Sequence, residues 1–94
     1  MTPDDAPPVA VTLPLALVNL FPGAPRQVAV RAATVAEAIE ALEARWPGMR
    51  DRLCDTRPAI RRHINVFVDG ERATLGTRLA PGAEMIVMTA ISGG

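Results

Sequence analysis

The chain has 94 residues, 49% of them hydrophobic, and ten basic side chains balance ten acidic ones to a formal net charge of zero. That length suits one small domain with one modest core. The neutral balance argues against nucleic acid or an anionic membrane as the main partner.

All ten basic residues are arginine. Without lysine, no internal side-chain amine can accept an isopeptide bond; the chain could be a donor to lysine but not a lysine-linked acceptor. Cys54 is the single cysteine, which excludes an internal disulfide and a thiolate-held iron–sulfur cluster. It is expected as a small, partly buried apolar residue rather than a nucleophile. Residues 1–8 hold Asp4, Asp5 and three prolines. They lack the basic start and apolar run of a secretion signal and read as a disordered leader. The apolar stretch 9–21 is broken by Thr12, Pro14 and Asn19, short of a membrane span. A soluble cytoplasmic protein is expected.

Val9, Val11 and Leu13 alternate with Ala10 and Thr12, the period of a strand. Pro14 lacks an amide donor and should end it. Residues 15–21 are apolar without a clean period. Pro22-Gly23-Ala24-Pro25 signals a turn, after which Val28 and Val30 alternate as a second strand, so a hairpin is predicted. Thr34-Val35-Ala36-Glu37 matches a capping box: the threonine hydroxyl caps the Glu37 amide while the carboxylate reaches back. The helix after it carries Val35, Ile39, Leu42 and Trp46 on one face and Glu37, Glu40 and Glu43 on the other. Trp46 is expected in the core. Pro47-Gly48 stops the helix.

Met49, Leu53 and Cys54 suit a short helical turn under the core, and Pro58 breaks the chain soon after it. Arg61-Arg62-His63 reads as the solvated start of a strand, with a docking contact for an acidic partner as the alternative. His63, the only histidine, has no second one with which to bind a metal or share a proton. Ile64, Val66 and Val68 form the next strand, and Asp69-Gly70 is a tight-hairpin signal. Residues 71–73 return as a short edge strand. Leu75 and Leu79 plug the core from an irregular segment, and Pro81-Gly82 turns the chain again. Residues 85–90 are apolar on both faces, as in a strand that is covered on both sides or central in its sheet.

The chain closes on Ile91-Ser92-Gly93-Gly94. Glycine has no Cβ and lets another backbone approach closely. A tail ending in two glycines is thin enough to thread into another protein's active site, where its carboxyl group can be activated. A frayed end is the plainer alternative.

The segments Thr34-Val35-Ala36-Glu37-Ala38-Ile39, Pro47-Gly48-Met49-Arg50-Asp51-Arg52-Leu53 and His63-Ile64-Asn65-Val66-Phe67-Val68-Asp69-Gly70-Glu71 occur in this order. Pro81-Gly82-Ala83-Glu84 and the closing Ala90-Ile91-Ser92-Gly93-Gly94 complete the set. Together they resemble the bacterial MoaD/ThiS family of sulfur carriers, which includes the small subunit of molybdopterin synthase and the thiamine sulfur carrier. Val11-Thr12-Leu13-Pro14 and the long helix-to-strand segment look most like the carrier that feeds a cysteine synthase. The short stretch 72–79 and the apolar stretch 15–21 depart from that branch. Cysteine, molybdopterin, thiamine or a specialised sulfur metabolite all remain open as destinations.

The resemblance implies an α+β fold, the ubiquitin-like β-grasp roll, with a mixed sheet of four to five strands on one main helix. The folded domain would span residues 9–90 and the flexible tail residues 91–94. It also implies a carrier, not an enzyme, binding no cofactor of its own. A ubiquitin-activating-like adenylyltransferase would use ATP to adenylate Gly94, and a sulfur donor would then convert it to a thiocarboxylate for a downstream sulfur-accepting enzyme. Gly93 would give steric clearance, and Ser92 and Ile91 would contact the channel. Docking would use the sheet surface beside the tail, and residues 15–21 either join that surface or close the core. Two alternatives use the same parts: a ubiquitin-like modifier joined to lysines of other proteins, or a binding subunit whose tail is never activated.

Overall fold

A computed structural model describes residues 7–57 and 59–89. The valine alternation forms β1 (Val9–Thr12) and β2 (Gln27–Val30), paired antiparallel from Val9↔Val30 to Thr12↔Gln27. Between them Pro14 caps a single helical turn, α1 (Leu15–Val18). The predicted hairpin is therefore present, with its apolar connection coiled rather than extended.

The capping box starts α2 (Val35–Arg45): Thr34 Oγ1 accepts the Glu37 N–H at 3.2 Å and Glu37 Oε1 accepts the Ala33 N–H at 3.1 Å. Val35, Ala38, Ile39 and Leu42 form the buried stripe. Trp46 extends the stripe only in part. The helix ends at Arg45, Trp46 leaves helical geometry at φ −132°, and its ring packs half-buried against the core. Gly48 then takes φ 101°, and the Phe21 ring lies 3.5 Å from where a Cβ would stand. Both the left-handed backbone and the close ring favour glycine there.

Gly48 leads into α3 (Met49–Leu53), whose Met49 and Leu53 are fully buried. Glu43 reaches across the turn to accept the N–H groups of Gly48 (3.1 Å) and Arg50 (2.8 Å). These two backbone donors, Arg50 first, hold its carboxyl below the usual glutamate range. Glu43, on the side of α2 opposite the apolar stripe, thus tethers α3 to α2.

β3 (Ile64–Val68) and β4 (Glu71–Arg72) are joined by Asp69 at φ 49° and Gly70 at φ 88°. Two left-handed residues in a row match the twist of the flanking strands. The segment from Thr74 to Leu79 then returns to the helix start. The Thr77 and Leu75 carbonyls accept the N–H groups of Val35 and Ala36, each at 3.0 Å, and Leu79 N–H donates to the Ala33 carbonyl at 2.9 Å. Helix N-termini leave such amides unpaired; here a distant loop satisfies them. Leu79 is buried and Leu75 partly so, as predicted.

β5 (Glu84–Thr89) is central in the order β2-β1-β5-β3-β4, parallel to β1 and antiparallel to β3. This is the expected mixed sheet on one main helix. One sheet face carries Val9, Val11, Val28, Val66, Met85 and Val87 into the core. The opposite face is uncovered: Ile86 is half-buried and Met88 is 49% exposed. Of the two explanations for a doubly apolar last strand, centrality holds and cover on both sides does not. Ala90, predicted as its last residue, lies outside the described residues, as do Pro58 and residues 1–6 of the expected leader. The Pro7 carbonyl accepts the Gly82 N–H at 3.1 Å. No helix among the described residues is long and apolar enough to cross a membrane.

Leu42→Ala should cost about 2–5 kcal/mol through a cavity under α2, read from chemical denaturation. Glu43→Gln should lower Tm at neutral pH. The folded Glu43 pKa lies below its reference value of 4.5, so its stabilisation is complete above that value and is lost as pH falls through the folded pKa. Melts taken at successively lower pH should show the two proteins converging.

Candidate functional site

The site implied by the sequence begins where β5 ends. Thr89 stands opposite Ile64 on β3, and the chain beyond it leads to Ile91, Ser92, Gly93 and Gly94. These four predicted site residues lie outside the described residues. The structure describes the platform that precedes them.

That platform is the open face of the sheet. Cross-strand pairing sets Ile86 beside Phe67 and Thr12, and Met88 beside Asn65. Because strand side chains alternate, these residues share the face opposite the helices. A shallow pocket of about 330 Å³ lies on this face beside the end of β5, where Thr12, Leu15, Ile86 and Met88 meet Arg26. Leu15 is 55% exposed.

Part of the stretch 15–21 closes the core and part of it stays exposed. Leu17 is buried, and Val18 and Phe21 pack against the core. Leu15 and Leu20 remain exposed. One helical turn separates them, which an interrupted apolar run without a clean period did not reveal.

The other chemistry-bearing residues stay apart. Cys54 is only 8% exposed in a bridge with Ile60, and burial pushes its thiol up from the usual cysteine value. A protonated, enclosed thiol is a poor nucleophile. Asp55 is held below the usual carboxylate range by the Arg57 side chain and then the Arg57 amide, a local turn lock. His63 is exposed. No group of three or more His, Cys, Asp or Glu that could hold a metal occurs among the described residues. Among the described residues, the open face offers apolar contact and shape, with no acid–base pair or nucleophile beside the end of β5.

A model of the ThiS family matches residues 20–94. Small archaeal modifier protein 1 of Haloferax volcanii is 37% identical over 62 residues, which make up 66% of this chain and 71% of that protein. Its crystal structure superposes with a TM-score of 0.76 at 31% identity, over 92% of this chain and 98% of the other. A chain in the crystal structure of the Amycolatopsis orientalis BexX/CysO complex matches with a TM-score of 0.80 and 29% identity, over 92% of this chain and 99% of its own. The structure of Mycobacterium tuberculosis CysO gives 0.79 and 27%, over 88% and 99%.

The enclosed thiol predicts slow chemistry. Cys54 in the native protein should react with an aromatic disulfide reagent at least about a hundredfold more slowly than in denaturant. Absorbance of the released thiolate measures both rates.

Proposed function

The chain belongs to the ThiS family, small ubiquitin-like carrier proteins rather than enzymes, and from that premise we propose a cytoplasmic sulfur carrier that acts through Gly94. The observation carrying this reading is the family match running to residue 94, directly beyond a strand hydrogen-bonded on both edges.

A terminal carboxyl group titrates near about 3.5 and is ionised at neutral pH, so it is a poor electrophile. An activating partner of the ubiquitin-activating type joins the Gly94 carboxylate to the α-phosphate of ATP and releases pyrophosphate. A sulfur donor then attacks the acyl carbon, AMP leaves, and Gly94 ends as a thiocarboxylate. The thiocarboxylate sulfur attacks the substrate of the acceptor enzyme and bonds to it, water then cleaves the acyl–sulfur bond, the sulfur stays on that substrate, and the Gly94 carboxylate returns. Gly93 clears the channel, and Ser92 and Ile91 line up against its walls. Four extended residues span roughly 13 Å, so the globule stays outside. The pocket at Leu15, Ile86 and Met88 docks the partner. The crystal structure of a BexX/CysO complex supports a partner enzyme for proteins of this shape. The final sulfur acceptor in cysteine, molybdopterin, thiamine or specialised metabolism is a separate choice made by that enzyme.

Likeness to a protein named a small archaeal modifier favours one second reading, conjugation of Gly94 to lysines of other proteins. Both readings use the same adenylate and differ in whether sulfide or an amine attacks it.

Incubation with a verified activating enzyme, ATP and sulfide, with intact mass measured afterwards, tests the proposal. One oxygen should be replaced by sulfur, and deletion of Gly94 should abolish the exchange while leaving the melting curve unchanged. An unchanged wild-type mass would reject it. Met88→Asp should slow the exchange at least about fivefold without loss of Tm.

A further inference from the structure

β4 is two residues long and covers only the Phe67–Val68 end of the outer edge of β3. In an antiparallel ladder, alternate residues turn their backbone polar groups to opposite sides. Asp69 N–H donates to the Glu84 carbonyl at 2.9 Å, which makes Val68↔Met85 a non-hydrogen-bonded pair. Asn65 and Phe67 therefore bond to β5, while Ile64, Val66 and Val68 turn outward. The Val66 carbonyl accepts Ala73 N–H at 2.8 Å, and Ile64 N–H donates to the Arg61 carbonyl at 2.9 Å. Among the described residues, the Val66 N–H and the Ile64 carbonyl have no partner.

Both groups face a groove of about 430 Å³ between residues 59–62 and 72–76. Its first wall is held by the Cys54↔Ile60 bridge and by Arg61 N–H on the Leu53 carbonyl. Ile60, Leu75 and Ala73 make the walls apolar, and Arg61, Arg62 and Arg72 stand around them. Among the described residues, no acidic residue lines the groove. Arg61 Nε is engaged by the Asp51 carbonyl and Arg72 by Asn65 Oδ1. None of the three arginines has a carboxylate partner among the described residues.

We propose that this groove binds an extended, acidic and aliphatic segment of a partner protein as an added strand along β3. The free amide and carbonyl set its register, as in strand addition to an exposed edge. The arginines match its carboxylates, for which their planar forks are suited. Nucleic acid fits less well: the groove offers no aromatic ring on which bases stack. A second copy fits poorly too, because two-fold pairing at this edge would set arginines against arginines. Since Ile64 stands opposite Thr89, the added strand would run one strand away from the tail root. Binding there is independent of activation of Gly94.

The probe is the capped peptide acetyl-Glu-Val-Asp-Ile-Glu-Val-amide, titrated into the ¹⁵N-labelled chain and its Gly94-deleted form. In both, the Val66 amide should move and its hydrogen exchange should slow. Arg62→Glu with Arg72→Glu should weaken binding at least about tenfold, while Arg45→Glu on the exposed end of α2 should not. Replacing the peptide's acids by amides, or raising salt, should also weaken it. The proposal fails if Val66 does not respond, if the double variant binds equally, or if shifts gather around Met88 instead. Concentration-dependent protection of Val66 without peptide would assign the edge to a second copy. A response to single-stranded RNA in place of the peptide would assign it to nucleic acid. Either would overturn the proposal.

Discussion

The hydrogen bonding of β5 on both edges is the constraint on which the rest of the structure depends. The last strand of the chain enters the sheet between β1 and β3. It joins the amino-terminal hairpin to the later one, and without it the sheet would be two separate ribbons. A two-stranded ribbon alone is marginal in water. The same insertion makes the strand that leads to the terminal segment one that is paired on both edges. Whatever the last residues do, they are presented from a fixed base.

The two faces of that sheet have different work. Valines and Met85 on one face meet α2 and α3, and the resulting core has no buried polar or charged residue among the described residues. The helix layer is aligned by polar contacts at its ends instead. Thr34 and the segment 74–79 satisfy the start of α2, and Glu43 satisfies the start of α3. Satisfying buried or partly buried backbone donors in this way matters because each orphan would cost about 1–3 kcal/mol. The opposite face keeps Ile86, Phe67 and Met88 without cover, a composition that favours a partner over solvent.

An apolar open face and a basic edge meet near the tail root, and they discriminate by different means. The face offers area and shape. The edge offers unpaired backbone groups, which demand extended geometry, and arginines, which demand carboxylates. A partner engaging both would be selected by two independent criteria, whereas contact with one alone would be weak. The absence of lysine fits such a surface, since a compact, strongly hydrated ammonium lacks the fork that pairs two oxygens at once.

Much was legible in the residues because its causes are local. The Thr34–Glu37 box, the Pro47-Gly48 stop, the Asp69-Gly70 turn and the valine alternation each depend on a few neighbouring positions, and each forms as read. The terminal diglycine and the ordered motifs also pointed to the family. Other features needed distant partners. Glu43 meets its backbone donors only where α3 folds back against α2, and Leu75 and Thr77 cap a helix that begins far earlier in the chain. Residues 15–21 divided into buried and exposed members only when one turn of helix met the core. The sequence by itself determined most of the elements and their punctuation, because backbone preference and side-chain period act over a few residues. Only the tertiary structure decided that, among the described residues, the Val66 N–H and the Ile64 carbonyl stay unpaired on the outer edge of β3, and that arginines from two separate segments gather there. Those facts arise from sheet order and register, which no local run of residues encodes.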